Sequence, residues 1–241
     1  MNDKAEALIL AVKDYREYDA LVTALTPIGR LNFVAKGLKK ATSRNAYALQ
    51  LFSKSNLLFD LKDKNQLNVL KIAELIESNR NLREDFNTQI LAAIASEIGL
   101  VLSDEPDLFT LIDQLFTKLN QQQDIYGYFN CFLARILKRE GNGPQVDSCV
   151  VCNRQRNIVA VSVAQGGFLC QECFGHYDGV QLIPQLLRAF RLINKVPFDS
   201  EDSIMNPEVN SIQITNLLID FMEEYSGITI KARKFLSEII I

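Results

Sequence analysis

The chain is expected to be an α+β multidomain protein, with an OB-fold-like β barrel first and an α-helical domain after it. The helical part carries an inserted four-cysteine module. Three observations lead there. Short runs rich in Leu, Val, Ile and Phe alternate with turn signals up to about residue 75. From about Asn79 the apolar spacing changes to the helical period. Four of the five cysteines fall between Cys149 and Cys173.

With 241 residues the chain is long enough for one large or two to three small domains with a sizeable core. AEALILAV, ALVTALT and RLNFVAKG read as strands, separated by KDYREYD and by Pro27 to Gly29. The run from Ala46 to Leu75 looks like two more strands around a charged turn at Lys62 to Asn65. About five strands in some 75 residues is the size of a small closed barrel such as an OB-fold, a strand count shared with other small all-β domains. The barrel is assigned to residues 1–78 and the helical domain to 79–241.

In the helical part, Leu82, Phe86, Ile90 and Ile94 fall on one face of the first helix. EPDLFTLIDQLFTKL is a second, with Pro106 at a plausible first position. YGYFNCFLARILKRE is a third, with the stripe Phe129, Phe132, Leu133, Ile136 and Leu137. Gly141 to Pro144 ends it, and the cysteine insert follows at about 145–178, projecting from the helical body. LIPQLLRAFRLINKV, PEVNSIQITNLLIDFMEEYSG and IKARKFLSEII complete the helices, with Gly227 as a stop.

Cys149 and Cys152 form one Cys-x-x-Cys pair, and Cys170 and Cys173 the other, with seventeen residues between them. That spacing closes a tetrahedral four-thiolate zinc site, each pair presenting two sulfurs and a hairpin returning the second pair. NIVAVSVA with Gly166 and Gly167 is the expected hairpin. The competing readings are unrelated buried thiols or a redox pair, although a thioredoxin-like motif needs one pair in a βαβ setting. A structural metal also suits an insert with few large apolar residues, since binding of order 10 kcal/mol can replace a core. Four thiolates leave no open coordination position, so such a zinc would not activate water. His176 is an alternative ligand, and Cys131 reads as a small buried hydrophobe.

Charge is uneven. Arg30 to Lys54 carries six cations (Arg30, Lys36, Lys39, Lys40, Arg44, Lys54) and no acid, in a chain whose net charge is -3. Such a block is a footprint for a polyanion, nucleic acid first, with a solvated loop as the competing reading. Gly37, Ser43 and Asn45 suit a loop that approaches phosphate. Tyr47 and Phe52 could stack bases, although aromatics on strands are more often core.

Enzyme signatures are missing. There is no G-x-x-x-x-G-K-[ST] and no G-x-G-x-x-G. The single histidine lies beside the cysteines, which disfavours a Ser-His-Asp or Cys-His arrangement. Glu223 and Glu224 would point about 100° apart on a helix. A non-enzyme is expected. No apolar run reaches bilayer length, and MNDKAEALILAV is a poor signal peptide, so a cytoplasmic protein is expected.

At this point three stretches resemble the RecO family of bacterial recombination mediators. They are the segment from Ala7 to Ser53, the cysteine cluster, and GITIKARKFL. The first carries an acidic-tyrosine turn, a Thr-x-x-Gly-Arg step at Thr26 to Arg30, Ala-Lys-Gly at Ala35 to Gly37, a basic loop with Ser and a Leu-Gln-x-Phe strand. In the third, Ile230, Lys231, Ala232 and Arg233 stand where the family usually reads Leu-Lys-Ser-Arg. The resemblance implies an OB-fold, a helical domain and structural Zn2+. It implies binding of single- and double-stranded DNA, strand annealing, and action with RecR to help load RecA onto strands coated by the single-strand binding protein SSB. The SSB C-terminal tail and RecF are further implied partners, and the nucleoid the implied site. By position, DNA contact would fall to Arg30, Lys36, Gly37, Lys39, Lys40, Arg44 and Lys54. Arg135, Lys138 and Arg139 could receive an acidic tail beside an apolar groove, a reading from charge and periodicity whose alternative is ordinary helix C-terminal charge. Two other readings stay open: a zinc-containing protein-interaction adaptor with incidental DNA contact, and a metal-dependent hydrolase, which needs an open zinc position.

Overall fold

The computed structural model describes residues 2–60, 68–105, 107–197 and 200–238. By internal contacts the chain forms two compact units, Met1–Gln122 with Ile230–Ile241, and Gln123–Thr229. The expected barrel domain, residues 1–78, falls within the first unit, which also takes in the helices that follow it.

The first unit is built on a closed barrel of strand order β1-β2-β3-β5-β4. Its strands are β1 (Asn2–Tyr15), β2 (Asp19–Thr26), β3 (Gly29–Ala35), β4 (Lys54–Asp60) and β5 (Asn68–Glu77). All neighbours are antiparallel except β3 and β5. This is the five-stranded barrel expected from the sequence. β1 closes it by serving two partners, β4 with its first half and β2 with its second. A register shift between Ile9 and Ala11 marks the bend between the halves. Ala7, Ile9, Val22, Ala24, Phe33, Leu57 and Phe59 fill the interior, and Phe33 meets Phe59 edge-on at 5.2 Å.

The stretch from Ala46 to Ser53 is not the expected strand but a series of turns. Leu49 N–H bonds to Asn45 O in helical fashion, and the Ser53 and Ser55 hydroxyls both donate to Ala48 O. Ala48 and Leu49 thereby enter the barrel core. The alternation of apolar residues there is that of a plug, not of a strand. The expected turn at Lys62 to Asn65 lies outside the described residues.

Helices α1 (Asn81–Glu84), α2 (Phe86–Val101) and α3 (Leu108–Asn120) complete this unit with a C-terminal 3-10 segment, Lys231–Glu238. The expected single helix from Asn81 is broken at Asp85, which is extended and caps α2 by accepting Thr88 N–H at 2.9 Å. Phe86 consequently leaves the buried face and is exposed, whereas Leu82, Ile90 and Ile94 are buried. Gly99 lets α2 lie close to its neighbours, since a Cβ there would meet Ile112 Cδ1 at 2.6 Å. Pro106 lies outside the described residues. The C-terminal segment docks on α2 through Lys231 N–H to Glu97 Oε2, 2.6 Å.

The second unit contains α4 (Ile125–Arg139), β6 (Ile158–Ser162), β7 (Gly167–Cys170), α5 (Gln171–Phe174), β8 (Val180–Gln181), α6 (Pro184–Lys195) and α7 (Ile212–Ser226). The whole predicted stripe of α4 is buried. Asn130 is buried with it, donating to Val209 O and Ser211 O and accepting from Thr215 Oγ1. α7 starts later than expected, at Ile212, and ends at Gly227 with φ +64° as anticipated.

The cysteine insert is not a free projection. Phe168 of its hairpin packs against Phe190 of α6 at 6.0 Å, and Tyr225 Oη donates to Val163 O at 2.7 Å. β7, β6 and β8 form its small sheet. Gly167 is required there, because a Cβ would lie 2.3 Å from Gln145 O.

Candidate nucleic-acid interface and metal centre

The basic segment is the connection from β3 to the barrel plug. Lys36, Lys39, Lys40 and Arg44 are all exposed on it. Gly37 takes φ +62°, a left-handed conformation natural to glycine, and its N–H donates to Asp19 Oδ1 at 2.8 Å. Successive turns follow, Lys40 N–H to Gly37 O and Ser43 N–H to Lys40 O. Asn45 Oδ1 then accepts Ala73 N–H from β5 at 3.0 Å, which pins the far end of the loop.

The loop is locked onto the β1–β2 turn. Lys39 N–H bonds to Tyr18 O at 3.1 Å, and Lys39 Nζ pairs with Asp14 at 2.6 Å. Lys40 Nζ stands 5.4 Å from the centre of the Tyr18 ring. That turn adds an exposed cation, Arg16, and the end of β1 another, Lys13. Charge counting along the chain misses them because Asp14, Glu17 and Asp19 sit between and beside them in sequence.

The other residues expected at this interface are elsewhere. Arg30 lies at the opposite end of β3 from Lys36, a separation of roughly 20 Å at strand rise, and reaches toward Leu100 O at 3.5 Å. Lys54 is held inside, 17% exposed, between Asp113 Oδ2 at 2.7 Å and Glu6 Oε1 at 2.9 Å. Burial pulls its pKa down, but the hydrogen bonds to Asp113 and Glu6 more than offset this and raise it. Lys54 is thus an internal ion pair, not a surface cation. Phe52 is core, 1% exposed with its ring on Phe116, whereas Tyr47 is 60% exposed.

On α4, Arg135 pairs with Glu201 and is mostly covered. Lys138 and Arg139 are exposed in the last turn. The apolar groove expected beside them is not formed by the α4 stripe, which faces the core.

The four cysteines do converge. The Sγ atoms of Cys149, Cys152, Cys170 and Cys173 all lie within 4.8 Å of one another, with Cys152 and Cys170 at 3.6 Å. Tetrahedral zinc with Zn–S near 2.3 Å places its sulfurs about 3.8 Å apart. Each pair sits on a tight knuckle. In the first, Cys149 N–H bonds to Arg154 O and Asn153 N–H to Cys149 O. In the second, His176 and Tyr177 N–H both bond to Cys173 O. Asn153 and Asn157 take positive φ at the ends of the first knuckle.

Burial pushes the Cys149 thiol up, but hydrogen bonds from the backbone at Cys152, Cys170 and Val151 outweigh it and bring the pKa down to about 6. Cys173 is raised to about 12, by burial and then by the thiols around it. Four thiolates at this spacing repel one another, and a divalent cation at their centre removes that repulsion. The residues fit a metal ion. His176 is exposed and outside the cluster. Cys131 is 2% exposed in α4, and burial raises its thiol to about 12, so it behaves as a hydrophobe. Among the described residues no helix is long and apolar enough to cross a membrane.

Known proteins agree with this layout. The family model for the recombination protein O N-terminal region matches residues 1–79, and that for its C-terminal region matches residues 83–234. A DNA repair protein RecO from Oceanobacillus iheyensis is 28% identical over 246 residues, covering 99% of this chain and 94% of the relative. The RecO of Bacillus pumilus is 29% identical, covering 98% and 93%. That of Bacillus subtilis is 28% identical, covering 99% and 95%. With both family regions matched in order across a barrel, a helical part and a clustered cysteine tetrad, the chain belongs to the RecO family of DNA repair proteins.

Proposed function

We propose that this chain is a non-enzymatic recombination mediator that binds single- and double-stranded DNA through the β3 loop and the β1–β2 turn, and anneals complementary strands. One observation carries the reading: four exposed cations on a loop pinned at both ends, joined to the end of β1 and its turn, which add two more. Contacts of this kind serve phosphates of any sequence. Two strands that repel each other can share such a surface until their bases pair. The interface comprises Lys13, Arg16, Lys36, Gly37, Lys39, Lys40 and Arg44. Arg30 contributes at most a separate contact, and Lys54 and Arg135 are left out because they are paired and largely covered, whereas Lys39, paired with Asp14, stays at the surface.

The cysteine site is proposed to hold structural Zn2+, chosen over other ions by four soft donors in a closed tetrahedron. Family membership supports RecR as a partner in loading RecA onto SSB-coated strands, with RecF as a further one. The acidic SSB tail would meet Lys138 and Arg139. A cytoplasmic, nucleoid-associated location goes with that role.

The test is binding of a labelled single-stranded oligonucleotide across a salt series, with annealing followed in the same samples. With about six phosphates contacted, affinity falls roughly a thousandfold between 50 and 200 mM salt. Lys39→Glu with Lys40→Glu should abolish binding and annealing. Unchanged DNA binding in that variant would overturn the assignment and favour the protein-interaction adaptor.

A further inference from the structure

Tyr18 stands where the two halves of the basic surface meet. Its backbone carbonyl receives Lys39 N–H, and its ring faces the Lys40 ammonium at 5.4 Å. The next residue, Asp19, holds Gly37 N–H. Asp14, four residues before Tyr18, holds the Lys39 ammonium. The backbone on both sides is therefore fixed, yet the Tyr18 side chain remains 47% exposed. The barrel does not need this ring: its aromatic core is Phe33 and Phe59, both nearly sealed from solvent. The loop touches the ring only through the Lys40 ammonium and is otherwise held by the Tyr18 carbonyl and the two carboxylates.

A half-exposed aromatic ring with one ammonium over it and a second on the same loop suits an unpaired nucleotide. The base is a flat apolar surface and the attached phosphate is anionic. In OB-folds the β1–β2 loop is also one of the elements that flank the oligonucleotide path. Phosphate contacts alone treat single strands and duplexes alike, but a duplex keeps its bases stacked on one another. A stacking ring would favour the unpaired strand.

We propose that the Tyr18 ring is a base-stacking platform for single-stranded nucleic acid, with Lys39 and Lys40 taking the phosphates beside that base. The proposal rests on the basic loop being the DNA interface, and it adds the residue that lets this interface distinguish unpaired from paired strands.

The chain contains no tryptophan, so Tyr18→Trp introduces a single indole at the site. Its emission should be quenched by an oligothymidylate and little changed by a blunt duplex of equal length. Tyr18→Ala should weaken oligothymidylate binding roughly tenfold, leaving duplex affinity and the salt slope unchanged, while Tyr18→Phe binds as the parent does. Tyr18→Ala that binds both ligands normally, or loses both equally, overturns the stacking role, as does an indole blind to the single strand. Lys39→Glu with Lys40→Glu separates the two levels. If it loses both ligands while Tyr18→Ala loses neither, the basic interface stands and only the stacking site falls. If it loses neither, the interface itself is misplaced and the stacking site falls with it.

Discussion

The barrel and the cysteine module are both small β structures, but they are held together by different forces. The barrel closes on itself, so every strand has two neighbours, and thirteen buried apolar residues form its core cluster. The module has a short three-stranded sheet, and its own core cluster is four buried residues, two of which are cysteines. Apolar burial at roughly 25 cal/mol per Å² can sustain the first. In the second, two of the four residues in that cluster are thiols that could hold a metal ion. The same contrast separates their functional surfaces. The barrel can display a cation-rich loop because the loop is anchored by Leu38 and Asn45, which leaves its cations at the surface. The module's four thiols face one another instead, with Cys149 and Cys170 buried and Cys152 at the surface.

If the cysteine site holds the proposed zinc, removing it should separate the two regions most sharply. Chelation, or Cys152→Ser, takes away binding worth of order 10 kcal/mol, and should unfold residues 145–178 while the barrel persists. Hydrogen exchange measured region by region would show it, and barrel amides losing protection together with the module would break the comparison. Acid should have the same effect. Metal-bound thiolates have pKa values below those of free thiols, so this stability is present at neutral pH and lost as pH falls and the ligands take up protons.

The opposite perturbation comes next in size. Phe33→Ala removes the centre of the barrel core and should cost about 3–5 kcal/mol, read by denaturant unfolding, with metal content unchanged. Loss of metal in that variant would mean that the module depends on the barrel.

Lys54→Met tests an internal charge and should cost about 2 kcal/mol, because Glu6 and Asp113 are left facing each other. DNA affinity should not change, which sets Lys54 apart from Lys39 and Lys40. Its pKa is raised in the folded state, so the parent's advantage over the variant should be full below the ordinary lysine range. It should be lost as pH rises through the raised value. The smallest effect belongs to the module's surface. Arg154 and Glu172 form an exposed pair, and Arg154→Ala should leave both stability and metal content unchanged within error.

How much of this was legible beforehand depended on whether neighbours in sequence remained neighbours in space. The tetrad was legible because each knuckle is local, and only the return of the hairpin had to be inferred. Lys36 to Arg44 was legible for the same reason, as one continuous loop. Arg30 and Lys54 were drawn in by their place in a charge run. Strand β3 carries the first away, and the fold carries the second to Asp113, 59 positions along the chain. Lys13, Arg16 and Tyr18 were passed over because acids dilute their stretch. The turn from Ala46 to Ser53 was misjudged because alternation of apolar residues does not distinguish a strand from a plug that enters a barrel end.

By itself, the sequence determined the order of barrel, helices and cysteine insert, the buried face of α4, and the four thiols that converge. Those follow from local period and spacing. Only the tertiary structure decided which cations remain free. That is a matter of which carboxylate each side chain meets once distant segments are brought together: Lys54 meets Asp113 and Glu6, Arg135 meets Glu201, and Lys39 meets Asp14 while staying at the surface. Charge acts through space, and a sequence gives position only along the chain.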